Sequence, residues 1–343
     1  MRREQDRVTI RDVAEKAGVS IGTASRVVNG RTIARPELRA AVLTAVEALG
    51  YRAGTFGAGR SGGGPSCDIV GCIVRDINIP SLAAFVRAAH ETLEKAGYTF
   101  VISNSEGARE RELELIRSFS RERLDGLMLG AYTPMDLEFE TALLDFRAPL
   151  LLIDRDTPRW ADCILVDHRS STRAAVGRLI GLGHRRIALL TGAPKIFPAN
   201  ERVRGYRDAF EAAGLPVEEG LIRASSFLRA DGFRLTIQLL EAAKPPTAII
   251  AGGLDLLSGV LRAVRTQRLA VPADISIVGA GESELAEFHT PAISVQRWDQ
   301  EALGRRAAAM LLQRMGADAD APPVHADVAA EFVERGSIGP PRG

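Results

Sequence analysis

The chain has 343 residues, with 44 Lys and Arg against 43 Asp and Glu and a hydrophobic content of 46%. This composition is typical of a globular protein of two or three domains and excludes a disordered or fibrous chain. No stretch approaches the roughly 18 uncharged apolar residues of a membrane span. The first residues also lack the apolar core of a signal peptide, so we expect a cytoplasmic protein without a membrane partner.

Charge is unevenly distributed along the chain. Residues 1–60 hold 11 basic and 6 acidic side chains, a net charge of +5, whereas the whole chain has a net charge of +1. The remaining residues are therefore acidic overall. A basic end on an acidic body predicts a localised contact with a polyanion such as DNA, and binding that depends strongly on salt.

Residues 8–29 contain two short helical patterns joined by a Gly-Val turn. Thr9 can cap the first helix and Ser20 the second, and Gly18 ends the first. Apolar residues recur at three- and four-residue spacing in both, and a third pattern opens at Pro36. Three such apolar stripes can close one small core, as in a helix-turn-helix unit.

The stretch from Val8 to Tyr51 contains the segments DVAEKAGVS, TASRVVNG and ALGY. Their order and spacing match, without a gap, those of the helix-turn-helix head of the lactose/galactose repressor (LacI/GalR) family, which the stretch therefore closely resembles. The resemblance implies that the second helix enters the major groove of double-stranded DNA. By position, it assigns base contacts to Ile21, Gly22 and Arg26. The other residues that it places at the DNA interface are Thr9, Ser20, Thr23, Ser25, Asn29, Tyr51 and Arg60.

An arginine can donate two hydrogen bonds to guanine, worth roughly 1–3 kcal/mol of discrimination, whereas a glycine offers no side chain. We therefore expect base preference to rest on Arg26 and on an apolar contact from Ile21 with a thymine methyl group. Thr23 and Ser25 would contact phosphates, and Asn29 would close the recognition helix.

Residues 52–68 are rich in glycine, and we expect a linker there. In the family that the head resembles, this segment folds into a short helix on DNA. Each glycine costs a helix about 1 kcal/mol relative to alanine. Two interpretations follow: Arg60 enters the minor groove electrostatically, or the linker is a flexible tether with weakened effector coupling. The composition favours the tether.

From Ile69 onward, apolar runs of strand length alternate with amphipathic helical patterns, which predicts parallel βαβ units. Two halves of this region echo each other, with helices that end in EKAGY and EAAGL. We therefore expect two doubly wound α/β lobes with parallel sheets, and a ligand cleft at the carboxyl ends of the strands. The predicted strands are IVGCIV, YTFVIS, GLMLG, PLLLID, CILVD, RIALLTG, TAIIAGG, ISIVGA and ISVQ.

The segments DGLML, LLIDRD, GHRRIALLTG, ERVRGYRDAFEAAGL and VPADISIVG follow one another as in the effector domain of the same family, which is similar to periplasmic sugar-binding proteins. The resemblance implies a head at residues 1–51, a hinge at 52–68, and a two-lobed effector-binding and dimerisation domain at 69–335. It also implies crossings between the lobes near residues 165, 292 and 323. Lobe 1 would comprise about 69–165 and 293–322, and lobe 2 about 166–291 and 324–335.

The resemblance also places an effector site in the cleft. Arg202 lies where the family has an effector-binding arginine, Asp154 matches an acidic cleft position, and Phe227 matches an aromatic that packs on the ligand. A guanidinium in a cleft suits carboxylates or paired hydroxyls. The remaining residues predicted at this site are Ser81, Asn200, Gly253, Asp255, Gly281 and Glu282.

Two departures from the family pattern bear on the ligand. Sugar-binding members usually carry Asn-Asp and Asp where this chain has Gly253-Leu254 and Gly281. Losing two acceptors near Arg202 favours a ligand with a carboxylate or phosphate, or one with fewer hydroxyls than a hexose. We therefore expect a sugar, a sugar acid or another anionic metabolite, and no cofactor.

The segment ISIVGAGESE allows a rival interpretation as the dinucleotide site of a nicotinamide-dependent enzyme. The third glycine of that fingerprint is replaced by Glu284, and the segment lies late in the chain. The five histidines are scattered and the three cysteines form no CxxC pair, so we predict neither a catalytic nor a metal site.

We expect a homodimeric, DNA-binding repressor, with a tetramer left open. Its affinity for a pseudopalindromic operator would change when a small ligand closes the cleft. The competing class is a small-molecule-binding protein without a DNA role, and a gel shift on the upstream region of its own gene would separate the two.

Overall fold

The computed structural model describes residues 10–20, 23, 24, 27, 36–49, 67–122, 124–130, 134–146, 148–155, 158, 160–317 and 321–342. Two compact units divide the chain, residues 1–68 and residues 69–343. In the part of the chain that the structure describes, no helix has the length and apolar character needed to cross a bilayer.

The N-terminal unit is helical and has its own small core. Helix α1 spans Ile10–Lys16, Thr23, Ala24 and Val27 are helical, and helix α2 spans Pro36–Leu49. Residues from all three segments share one buried cluster, as the apolar spacing predicts. Leu38 is the exception, since it is 39% exposed although its position in the pattern places it inward. The cluster contains Val13, Ala14, Ala24, Val27, Val42 and Ala45.

Two local contacts shape the turn between the first two helical segments. Gly18 has a φ of +63°, a left-handed conformation that ends α1 at little steric cost. The Ser20 hydroxyl accepts a hydrogen bond from the Thr23 backbone N–H at 3.2 Å, which is the predicted capping contact. Thr9, the other predicted cap, lies outside the described residues.

Residues 69–343 form an alternating α/β unit with two sheets. Its helices are α3 (Pro80–Lys95), α4 (Arg109–Arg121), α5 (Leu137–Leu144), α6 (His168–Gly181), α7 (Phe197–Ala212), α8 (Arg229–Leu240), α9 (Leu254–Thr266), α10 (Glu284–Glu287) and α11 (Gln300–Met315). Its strands are β1 (Ile69–Val74), β2 (Thr99–Asn104), β3 (Gly126–Gly130), β4 (Leu150–Ile153), β5 (Asp162–Val166), β6 (Ile187–Thr191), β7 (Ile222–Ala224), β8 (Ala248–Ala251), β9 (Ser276–Ala280), β10 (Ser294–Arg297), β11 (His325–Val328) and β12 (Glu331–Val333).

Each sheet forms the centre of one lobe. The sheet of lobe 1 has the strand order β11-β5-β4-β3-β1-β2, and that of lobe 2 has the order β12-β10-β9-β8-β6-β7. All neighbours are parallel except β12, which is antiparallel to β10. Apolar clusters cover both faces of each sheet, which explains why the central strands are continuous apolar runs.

The chain passes between the lobes three times. The first crossing follows β5 at residue 167, close to the predicted position. The second lies at residues 298–299, after β10, and the third at 329–330, between β11 and β12. The predicted crossings near 292 and 323 are therefore too early, since β10 belongs to the sheet of lobe 2 and β11 to that of lobe 1. A four-residue strand carries no sequence signal for the sheet that it joins.

Candidate functional site

A cavity lies between the lobes, at the carboxyl ends of the strands. In the half next to lobe 2 it is lined by Arg75, Ile79, Ser81, Asp154, His168, Arg202, Phe227, Gly252, Gly253, Leu254, Asp255, Ala280, Gly281 and Trp298. A second, more apolar half extends into lobe 1, and the halves share Arg75, Ile79, Ser81, Asp154 and Trp298. The cavity therefore draws side chains from both lobes, as expected of parallel sheets that face each other.

Seven of the nine predicted effector residues line this cavity: Ser81, Asp154, Arg202, Phe227, Gly253, Asp255 and Gly281. Glu282 does not, because its carboxylate is held by Arg335 through hydrogen bonds of 3.0 and 2.6 Å. Asn200 does not line it either. It lies in the first turn of α7, where its backbone N–H bonds to the carbonyl of Ile196.

A chain of three polar side chains crosses the floor of the cavity. The Nε2 atom of His168 lies 2.8 Å from a carboxylate oxygen of Asp154, and its Nδ1 atom lies 3.1 Å from Nη2 of Arg202. A guanidinium can only donate, so Nδ1 accepts and the ring proton resides on Nε2, which donates to Asp154. The imidazole is therefore neutral in this arrangement.

Burial reinforces that protonation state. His168 is 1% exposed and Arg202 is 3% exposed. Removal from water lowers the pKa of His168, and this effect outweighs the opposing attraction of Asp154. The ring thus acts as a neutral spacer that fixes the carboxylate on one side and the guanidinium on the other.

Asp154 adopts a left-handed backbone conformation at the end of β4, with a φ of 53°. Few residues other than glycine adopt it, and aspartate is among the more tolerant. The backbone N–H donates to the carbonyl of Ile164 at 2.8 Å. Together with the bond from His168, this contact holds the carboxylate at the cavity, so the strained backbone coincides with the predicted acidic position.

Two aromatic rings flank the polar floor. Trp298, at the second crossing, meets His168 edge-on, with 5.2 Å between ring centroids. The ring of Phe227 lies so close to Gly192 that a β-carbon there would come within 2.1 Å of it. The absence of a side chain at Gly192 therefore leaves the space that the ring of Phe227 occupies in lobe 2.

Opposite charges meet across the cavity. Arg75 follows β1 in lobe 1, and its Nη2 atom lies 3.3 Å from the carboxylate of Asp255, in the first turn of α9 in lobe 2. Arg229, also in lobe 2, lies 3.4 Å from the other oxygen of that carboxylate. Asp255 therefore has one cationic neighbour in its own lobe and one in the other.

Sequence reasoning missed Arg75, His168 and Trp298. Arg75 directly follows β1, His168 comes two residues after the end of β5, and Trp298 directly follows β10. The rule that ligands bind beyond the carboxyl ends of parallel strands could have found the first two. Trp298 could not have been found in this way, because the predicted crossing near residue 292 placed β10 in lobe 1, whereas β10 belongs to lobe 2.

Most of the predicted DNA interface lies outside the described residues. Ser20 and Thr23 are described, and both are accessible, with 2.9 Å between their hydroxyl oxygens. The predicted DNA-binding residues that lie outside the described residues are Thr9, Ile21, Gly22, Ser25, Arg26, Asn29, Tyr51 and Arg60.

Comparison with known proteins agrees with this two-part architecture. Residues 9–53 match the family described as "Bacterial regulatory proteins, lacI family", and residues 176–338 match the "Periplasmic binding protein-like domain". The HTH-type transcriptional repressor PurR of Proteus mirabilis is 30% identical over 341 residues, 96% of each chain. The chain belongs to the LacI family.

Two solved structures superpose on almost the whole chain. A complex of the transcriptional regulator CelR with cellobiose superposes with a TM-score of 0.71 at 28% identity, covering 96% of this chain and 100% of that one. The lac repressor dimer bound to operator and the anti-inducer ONPF gives a TM-score of 0.70 at 25% identity, with 97% and 100% coverage.

The protein is thus a DNA-binding transcriptional regulator controlled by a small-molecule effector, as expected, and its named relatives are regulators rather than enzymes. The match over residues 9–53 sets aside a small-molecule-binding protein without a DNA role. The segment that invited a nicotinamide interpretation forms β9 and the following turn, where Gly281 lines the interlobe cavity.

Proposed function

We propose that this LacI-family regulator is a repressor that binds a pseudopalindromic operator as a homodimer and works in the cytoplasm. The observation that carries the proposal is the convergence of seven expected effector residues on one interlobe cavity, in a chain that also carries the LacI head. A ligand that prefers one arrangement of the lobes shifts their equilibrium and, by reciprocity, the affinity for DNA.

Exposed apolar side chains support a dimer. The edge strand β2 of lobe 1 leaves Val101 and Ile102 more than a third exposed. In lobe 2, Leu285 is 44% and Phe288 is 73% exposed. Large apolar side chains left in water are typical of surfaces that associate, and a symmetric pair of heads doubles the base contacts.

Recognition of DNA bases by Arg26 is tested by selecting bound sequences from a random pool of DNA duplexes. Wild-type protein should enrich a two-fold symmetric site, and Arg26→Ala should lose preference at one base pair of each half-site, by roughly 1–3 kcal/mol. Repeating the selection with a metabolite mixture shows the sign of the effector response. Failure to enrich any sequence at moderate ionic strength would refute the proposal.

The effector that we propose is a sugar, a sugar acid or another anionic metabolite held between Asp154, Arg202 and Phe227. The carboxylate of Asp154 offers acceptors, the guanidinium of Arg202 offers donors, and the ring of Phe227 offers an apolar face. Calorimetry with a panel of sugars and sugar acids tests this assignment. Tight binding of a neutral hexose that survives Arg202→Ala would overturn it.

For residues 52–68 we propose a tether rather than an ordered helix, since their glycines disfavour a helix that stands alone. A structure on operator DNA checks this, and an ordered hinge helix there would contradict it.

A further inference from the structure

The effector cavity contains a second cation besides Arg202. The side chain of Arg75 is only 12% exposed, and it lines both halves of the cavity from the lobe 1 side. Arg202 lines the half next to lobe 2. Guanidinium groups therefore reach the cavity from both lobes, on elements that are far apart in sequence.

The contact between Arg75 and Asp255 is weaker than the bidentate ion pair between Arg314 and Asp162. It is a single approach of 3.3 Å. By contrast, Arg314 binds Asp162 through two hydrogen bonds of 2.6 and 2.7 Å. Two short, parallel bonds are the arrangement in which a guanidinium and a carboxylate bind most strongly. The carboxylate of Asp255 does not achieve that arrangement with Arg75.

Asp255 also has an alternative partner outside the cavity. Arg229 lies 3.4 Å from its second oxygen, is 65% exposed, and is not among the residues that line the cavity. If Asp255 turned away from Arg75, its charge would remain beside Arg229. Releasing Arg75 therefore does not leave a carboxylate without a cation.

The shape of the Arg75 side chain indicates what could take the place of Asp255. Among the described residues, the half next to lobe 2 is lined by the guanidiniums of Arg75 and Arg202 and the carboxylates of Asp154 and Asp255, and the other half adds Asp76. If Asp255 turned toward Arg229, Arg75 would lose the carboxylate that it contacts in lobe 2. A planar carboxylate on a ligand matches the guanidinium fork and could replace it.

We propose that Arg75 is an effector-binding residue of lobe 1, and that the carboxylate of Asp255 stands where a carboxylate of the effector binds. The effector is then a hydroxylated carboxylate, such as a sugar acid, whose acid group binds Arg75 while its hydroxyls meet Asp154 and Arg202. This inference rests on the proposed function, in which the cavity is the effector site.

Trp298 provides a reporter for the test, because it lines the cavity and the chain has only one other tryptophan. Trp160 lies elsewhere in lobe 1, where its indole N–H donates to Glu140 at 2.9 Å. In the Trp160→Phe protein, emission therefore reports on Trp298 alone. The probes are matched pairs of a sugar and its acid: glucose with gluconate, glucose with glucuronate, and galactose with galacturonate.

We expect at least one acid to bind tenfold or more tightly than its parent sugar. Arg75→Gln should abolish that preference by weakening the acid, leaving the parent sugar within twofold. Arg117→Gln is the control, because this exposed lobe 1 arginine pairs with Glu138 away from the cavity and should leave the preference unchanged. Circular dichroism of each variant checks that it is folded.

Asp255→Asn separates this inference from an ordinary ligand-contact role, because the two predict opposite signs. Removing a competing carboxylate should strengthen acid binding by threefold or more, whereas removing a ligand contact should weaken it. The inference is overturned if Asp255→Asn weakens the acid, if Arg75→Gln keeps the preference, or if no acid of the panel binds better than its parent. These outcomes leave DNA selection unaffected, so a failure of the regulator proposal would be seen separately.

Discussion

At the scale of single residues, His168 is the group whose protonation matters most. It is neutral because burial lowers its pKa and because Arg202 donates to Nδ1. Adding a proton would place two cationic donors face to face at 3.1 Å while taking charge out of water. The native contact with Arg202 is therefore compatible only with the neutral ring.

The lowered pKa of His168 makes the stability of the fold depend on pH. A histidine whose pKa is lowered on folding binds fewer protons in the folded than in the unfolded state. The free energy of unfolding should therefore fall as pH drops below about 6.5, by up to about 1.4 kcal/mol per pH unit for each such group. Burial also lowers the pKa of His184, so two groups contribute.

Urea unfolding at pH 7.5, 6.5 and 5.5, for wild type and His168→Gln, checks the prediction. Below pH 6.5, the free energy of unfolding of the variant should fall less steeply with pH than that of the wild type, by the contribution of one titrating group. The contribution of His184 should remain. Equal slopes for the two proteins would show that His168 is protonated in the native state.

At the scale of elements, helix pairs of both lobes approach closely at glycines. A β-carbon on Gly205 of α7 would lie 2.2 Å from the backbone oxygen of Arg169 in α6. In lobe 1, one on Gly304 of α11 would lie 2.3 Å from the backbone oxygen of Phe85 in α3. Backbone atoms cannot move aside as flexible side chains do, so these positions fix the distance between the helices.

Gly205→Ala should therefore destabilise the two-lobed unit by about 1–3 kcal/mol, because α6 and α7 must separate. Gly177→Ala is the matched control. Gly177 is exposed in α6, with nothing within 4 Å of a built β-carbon, so alanine there should be neutral or stabilising by up to about 1 kcal/mol. Urea unfolding of the two variants measures the difference, and equal stabilities would contradict the close-approach explanation.

The strands show which parts of the fold could be predicted from the sequence. All nine predicted runs correspond to strands. The three that were not predicted are β7, β11 and β12, and each is an edge strand. These three strands are only three or four residues long and only partly buried, so they lack the continuous apolar run by which a central strand is recognised. The fourth edge strand, β2, has six residues and was predicted.

The candidate site could also be predicted only in part. Asp154 and Arg202 could be placed by resemblance, because motif spacing fixes positions along the chain. Asp255 was predicted at the site and Arg75 was not, and the contact between them could not be predicted because it depends on how lobe 1 faces lobe 2. Glu282 was assigned to the cleft from its position after β9, but a bidentate bond with Arg335 holds it elsewhere.

At the scale of the whole molecule, the proposed dimer makes a direct prediction. Phe288→Asp places a charge on the most exposed large aromatic of lobe 2 and should weaken dimerisation by tenfold or more. Leu137→Asp is the control, since Leu137 is 80% exposed in α5 of lobe 1, a helix that carries none of the side chains proposed for dimerisation. Sedimentation velocity over a concentration series measures both variants. Dimerisation that survives Phe288→Asp would exclude this part of lobe 2 as an interface.

In an effector-controlled regulator, a ligand in the interlobe cavity and DNA at the head are energetically coupled. Fluorescence anisotropy of the selected operator, with and without saturating amounts of the ligand found by calorimetry, tests it most directly. The operator affinity of the wild type should change by roughly 5- to 150-fold, and that of Arg202→Gln should not change at the same ligand concentration. A ligand that demonstrably fills the cavity and leaves operator affinity unchanged would contradict it.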